Sequence, residues 1–186
     1  MPTPSRTSLT EIVAAGLAIV ESEGVEGLTM QKVSAAVGVR APSLYKRVAG
    51  RGALLRLVAQ TVLENLGESL DSVVTGLDPE ADLRALALAF RDFALEQPGA
   101  YRLLFAPLPE DWSPDQEEFE AVVQPVLRTT EALVGPERAL DAARLVTAWA
   151  HGFLTMELAG AFRMSGDLDE AFDFGIERLA AALSMG

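Results

Sequence analysis

Between Val33 and Leu55 stand four bases, Arg40, Lys46, Arg47 and Arg51, and no acid, in a 186-residue chain whose formal charge is −12. Cations gathered in this way suit a polyanion, because each one that meets a phosphate releases condensed counterions. Ser43 and Tyr45 lie among them. Arg40 and Ser43 can reach base edges, whereas Tyr45, Lys46 and Arg51 can position a protein on phosphates. The chemistry on offer is recognition. Bond-making lacks its parts: with one histidine and no cysteine, disulfides, thiolate metal sites and cysteine nucleophiles are excluded, as are most triads. There is no phosphate-cradling glycine loop and no GxSxG elbow. The acids of Asp167/Asp169/Glu170 and Glu117/Glu118/Glu120 fall at turns or on polar helix faces, where hydration accounts for them. We therefore expect no enzyme, no metal and no cofactor.

The charge is divided along the chain. Residues 1–56 hold seven bases against four acids, and the remainder eight against twenty-three. Screening over about 10 Å at 0.1 M salt lets a basic surface persist beside an acidic body. A 49% hydrophobic, 23% charged composition is that of a globular protein. Met1–Arg6 lacks the basic flank and apolar core of an export signal, which leads us to expect a cytoplasmic protein. Leu145–Phe162 has nearly the length of a membrane span, but His151 and Glu157 in its interior favour a bundle or interface helix.

The elements that must position the basic segment are helical throughout, since apolar residues recur at threes and fours and no β-branched alternation is present. Leu9, Ile12, Val13, Gly16, Leu17 and Val20 form one stripe, starting after Ser8 as a cap and ending near Gly24. Thr29 can cap a second, short helix that Gly38 breaks. Pro42 suits the first turn of a third. With Val33, Val37, Leu44 and Val48 inward, Arg40, Ser43, Lys46 and Arg47 are left for solvent or a partner. Later helices are expected over about 51–74, 79–96, a single turn at 101–105, 115–134, 136–164 and 168–183, about nine in all. Two short helices joined by a glycine turn are either a helix-turn-helix, whose second helix enters the major groove, or an ordinary hairpin with a solvated face.

The run Leu28-Thr29-Met30-Gln31-Lys32-Val33-Ser34-Ala35-Ala36-Val37-Gly38-Val39, followed by Ala41-Pro42-Ser43-Leu44-Tyr45-Lys46-Arg47-Val48, resembles the DNA-binding domain of the tetracycline-repressor family of bacterial regulators. The resemblance covers about residues 8–57. It implies that Thr29 caps the second helix beside a phosphate and that Gln31 approaches DNA. Ala41, Pro42, Ser43, Lys46 and Arg47 fall where the recognition helix meets bases and backbone, with the Tyr45 hydroxyl on a phosphate. Arg51 takes a place usually held by lysine. Arg47 stands where the family commonly has histidine, and Ala49-Gly50 departs from its usual loop, so the operator is left open.

Gln97–Phe105 and Thr147-Ala148-Trp149-Ala150-His151-Gly152 are similar to the WHG-type C-terminal domain of such regulators, over about residues 80–184. The family organisation implies a DNA-binding domain at 1–56 and a ligand-binding and dimerisation domain at 57–186, with a homodimer formed through the last two long helices. Phe90, Phe93, Tyr101, Phe105, Trp112, Phe119, Trp149, His151, Phe153 and Met156 are candidates to line an effector cavity, each weighed against a place in the core. The expected function is an all-α, one-component regulator, a repressor that a small apolar effector releases from a palindromic operator on double-stranded DNA. The alternatives are an activator or co-repressor-dependent regulator, and a helical protein-interaction module without DNA binding.

Overall fold

The computed structural model describes residues 7–185; the start Met1–Arg6, on which the expectation about export rests, lies outside the described residues. Among these the secondary structure is helical: α1 Leu9–Gly27, α2 Met30–Ala36, α3 Ala41–Tyr45, α4 Arg51–Val73, α5 Pro79–Glu96, α6 Pro98–Leu104, α7 Gln116–Val134, α8 Ala139–Leu158 and α9 Leu168–Ser184. A single 3-10 turn, Glu110–Trp112, precedes α7. No strand occurs among the described residues, and none of these helices is long and apolar enough to cross a membrane.

Packing divides the described chain into two compact units, one reaching Asn65 and including Gln97–Phe119, the other made of Leu66–Glu96 and the residues from Glu120 onward. The partition departs from a single cut at 56/57 because α6 packs on α1. Glu21 on α1 accepts hydrogen bonds from the Gly99 and Ala100 N–H groups, both at 3.0 Å. Those donors belong to the first turn of a helix and have no intrahelical partner, so a carboxylate there acts as a cap from outside the segment. A Cβ on Gly99 would stand 2.5 Å from the Glu21 Cα, so only glycine allows this approach. The cap explains why a full helix forms at 98–104 where the local pattern predicts one turn.

In the first unit Ser8 and Glu11 form a reciprocal capping box that starts α1: Glu11 N–H donates to Ser8 Oγ at 3.1 Å and Ser8 N–H to Glu11 Oε2 at 2.8 Å. The helical backbone breaks at Gly24, as the stripe predicts. Helices of seven and five residues, α2 and α3, are too short to persist alone. Val33 and Leu44 are completely buried, together with Ile12, Leu28 and Leu54, and each such side chain contributes about 1.5–3 kcal/mol through burial. Val37, expected inward, is only half-buried.

In the second unit α5 lies against α9 and α8, with Leu83, Leu154, Phe172 and Ile176 enclosed. Asp82 is buried and accepts from Thr75 N–H and Thr75 Oγ1–H, each at 2.9 Å, and from Gly76 N–H at 2.7 Å. Burial alone would raise its pKa; the bonds from Thr75 and Gly76 outweigh it and hold the carboxyl below its ordinary value. Arg91 grips Glu157 through two bonds, Nε to Oε2 at 3.0 Å and Nη2 to Oε1 at 2.6 Å, and reaches Asp169 at 2.7 Å. Its guanidinium also covers the Phe172 ring at 5.2 Å. The Glu157 bonds raise its pKa further still, so it stays charged although its side chain is only 8% exposed. Helix α8 is shorter than the expected 136–164. Gly160, at φ +60, ends it, with Gly160 N–H on Glu157 O and Ala161 N–H on Met156 O.

Candidate nucleic-acid interface

The turn between α2 and α3 is a Schellman stop. Gly38 N–H donates to Ala35 O at 3.2 Å and Val39 N–H to Ser34 O at 3.0 Å, while Gly38 adopts φ +68. Only glycine takes this left-handed conformation without steric cost. Thr29 caps α2 by accepting from Lys32 N–H at 3.2 Å, and Pro42 occupies the first turn of α3. Leu44 and Val48, both buried, fasten the inner side of the motif. The opposite side is thereby turned outward.

On that outer side Thr29, Gln31, Arg40, Ala41, Pro42, Ser43, Tyr45, Lys46 and Arg47 are all exposed, Tyr45 by 53%. Six of the residues here, Gly38, Val39, Arg40, Ser43, Lys46 and Arg47, join Thr7, Ile12, Val37 and Leu44 in lining an open cleft of about 500 Å³. Thr7, Gly38 and Val39 were missed in the sequence because two are apolar or small and Thr7 is thirty residues away. The cations differ sharply in what they hold. Lys32 pairs with Glu23, and Arg56 donates to Ser113 O at 2.6 Å and Asp115 Oδ2 at 3.2 Å. Arg40, Lys46 and Arg47 make no side-chain hydrogen bond or ion pair among the described residues. Three exposed charges on one face can engage phosphates without first breaking an internal contact.

Arg51, expected on a phosphate, here donates from Nε to Leu28 O and from Nη2 to Val25 O, each at 2.8 Å, and its side chain is 29% exposed. The cause is the end of α1, where backbone carbonyls beyond the Gly24 break need donors. The guanidinium also lies 5.5 Å from the centroid of Trp112, a residue expected in an effector cavity.

The other nine cavity candidates divide between the two units. Tyr101 is buried and tilts against Phe105 at 5.2 Å, while Phe105 itself is 45% exposed. Phe119 and Met156 are likewise exposed; Phe93 is buried, and Phe90 and His151 are half-buried. Trp149 and Phe153 meet Phe172 at 4.9 and 5.1 Å, and Phe153 meets Phe162 at 4.8 Å. These rings pack on one another. Gly175 lies so close to Trp149 that a Cβ would stand 2.2 Å from its ring. Phe162 and Phe172 escaped the sequence reading, because helical spacing does not distinguish a ring that meets Trp149 from one that does not. No group of metal-ligating side chains occurs among the described residues.

A short helix fastened by apolar residues, a left-handed glycine turn and an exposed basic second helix define a helix-turn-helix protein. Residues 83–179 match the family model described as "Tetracyclin repressor-like, C-terminal domain". The chain belongs to the tetracycline-repressor-like family and is a transcriptional regulator, not an enzyme. It is 27% identical over 180 residues, 96% of this chain and 94% of the relative, to the uncharacterized HTH-type transcriptional regulator YobS of Bacillus subtilis strain 168. Over 61 residues, 33% of this chain and 22% of the relative, it is 43% identical to the HTH-type transcriptional repressor DrrR1 of Streptomyces coeruleorubidus. Among solved structures it is similar to a TetR variant from Acinetobacter baumannii AYE in complex with minocycline, at TM-score 0.70 and 25% identity, covering 96% of this chain and 97% of that one. It also shares its fold with BioQ bound to its double-stranded DNA operator, at TM-score 0.70 and 23% identity, covering 97% and 99%.

Proposed function

We propose that this regulator is a homodimeric repressor whose two α2–α3 heads bind the half-sites of a palindromic operator and are released by a small apolar effector. The observation that carries the DNA reading is the trio Arg40, Lys46 and Arg47, exposed and without side-chain partners among the described residues, beside Ser43 and Tyr45. Thr29 and Gln31 approach from α2, and Ala41 and Pro42 let the backbone of α3 come close. Arg51 is left out of this contact set.

Repression and effector release are supported by likeness: DrrR1 is a repressor, BioQ was solved on its operator, and the Acinetobacter protein was solved with minocycline. Residues 57–186 then carry effector binding and dimerisation, except that 97–119 pack with the reading head. Dimerisation through α8 and α9 is supported by their exposed apolar residues. Leu145 and Met156 are 49% and 45% exposed on α8, and Phe174 is 62% exposed on α9. Spaced at eleven residues, Leu145 and Met156 lie on one face of α8, and apolar patches of this kind mark interfaces.

Selection of bound sequences from random DNA, followed by anisotropy titrations of the winner across a salt series, tests the reading. A palindromic winner, a steep salt slope and one dimer per site are expected. Adding apolar ligands should then weaken binding; tighter binding would make the protein co-repressor-dependent. Equal indifference to every DNA would leave a protein-interaction module instead.

A further inference from the structure

Two residues expected in different places touch each other. Arg51 opens α4, three residues after the buried Val48 that anchors the reading helix, and Trp112 sits in the 3-10 turn of the segment after α6. The indole lies flat on the first turn of α4: a Cβ on Gly52 would stand 2.2 Å from Trp112 Nε1, so the contact exists only because that position is glycine. The ring covers the Arg51 guanidinium on one side, and the Val25 and Leu28 carbonyls hold its Nη2 and Nε. Val25 and Leu28 flank the entry into α2. One side chain therefore ties together the end of α1, the start of α2, the start of α4 and the segment bearing Trp112. A second tie lies five residues on, where Arg56 holds Ser113 O and Asp115. A guanidinium suits this role because its planar fork serves two carbonyls while its face stacks on a ring.

We infer that Arg51 and Trp112 form a clamp that positions the reading head for DNA: Arg51 acts on affinity through the pose of α2 and α3, not by touching a phosphate, and Trp112 keeps it there. Both are positioning residues. The inference rests on the DNA reading proposed above. It makes the segment from Gln97 to Phe119 part of the DNA-binding machinery although it lies forty or more residues beyond the motif.

The test is a double-mutant cycle on operator binding, with full-length Arg51→Ala, Trp112→Ala, Trp112→Phe and the Arg51→Ala/Trp112→Ala pair, each titrated at several salt concentrations. Affinity is referred to the folded fraction, measured by circular dichroism. Each alanine variant should bind about tenfold more weakly, the pair should lose little more than either alone because the two share one interaction, and Trp112→Phe should restore binding. The slope of log affinity against log salt should stay at the wild-type value in all of them, whereas Arg47→Ala, which removes one phosphate contact from each half of the dimer, should flatten it by about 1.8. A flattened slope in Arg51→Ala would make Arg51 a phosphate contact and overturn the clamp. So would a Trp112→Ala protein that melts earlier yet binds with unchanged affinity. If Arg47→Ala left affinity and slope untouched, the DNA reading itself would fail and the clamp with it.

Discussion

The two units use arginine in opposite ways. Around α3, Arg40 and Arg47 are exposed with no side-chain partner among the described residues, while on α5 Arg91 is enclosed, bonded twice to Glu157 and once to Asp169, and laid over Phe172. Both are permanent cations. The exposed ones contribute almost nothing to the fold and are available to a partner; the enclosed one is committed to holding α5, α8 and α9 together and is available to nothing else. Arg51 stands between these cases, partly covered and used to set geometry within the unit whose outer face it was expected to join. The contrast teaches that a base count along a sequence overstates a binding surface, since only the cations that the fold leaves without partners can change partners.

The comparison can be broken most strongly at Arg91. Arg91→Ala strands Glu157, 11% exposed, without a countercharge and should lower stability by about 3–5 kcal/mol, read from urea unfolding, while DNA affinity of the folded fraction stays at the wild-type level. Replacing both partners, Arg91→Met with Glu157→Leu, should recover most of the loss, since two apolar groups leave no buried charge. A single-variant loss no larger than that of a surface arginine would erase the contrast.

Next in size is Asp82→Ala, which orphans the Thr75 and Gly76 donors and should cost about 1–3 kcal/mol. Because the folded carboxyl titrates below its ordinary value, its contribution is complete above the unfolded pKa of about 3.9 and disappears as pH falls through the folded one. Unfolding curves from pH 7 to pH 2 should therefore show wild type and Asp82→Ala converging on the acid side; parallel curves would contradict the assignment.

Gly38→Ala forces a side chain into φ +68 and should cost about 1–2 kcal/mol, with a loss of operator affinity larger than the stability change alone explains. Smallest in stability is Arg47→Ala, expected within about 0.5 kcal/mol of wild type by thermal melting. Its effect belongs to binding. If that variant melted several degrees lower, Arg47 would have a structural partner and the division between exposed and enclosed cations would lose its sharpest member.

Much of the reading head is legible from local pattern. Thr29, Gly38, Pro42, Leu44 and Val48 each do what their chemistry and spacing predict, because caps, left-handed turns and helix faces depend on neighbours within four or five residues. The all-helical architecture follows from the same short-range periodicity. What local pattern misses is long-range: the full length of α6 depends on a carboxylate seventy-eight residues earlier, and α8 ends at Gly160 rather than continuing along an apolar run. The aromatic candidates show the limit best. Spacing could place Trp149 and Trp112 on helix faces or turns, but not say that one meets Phe172 and the other a guanidinium.

The sequence by itself determined that the protein is helical, that two short helices joined by a glycine turn lie between Thr29 and Val48, and that the bases there face outward. Those properties are written in periodicity, capping residues and charge, all read over a turn or two of chain. Tertiary structure alone decided which cations remain free. Whether an arginine finds a carbonyl, a carboxylate or a ring depends on groups brought to it from elsewhere in the chain, and for Arg51 and Arg91 those groups come from Trp112, Glu157 and Asp169, 61, 66 and 78 positions away in the sequence.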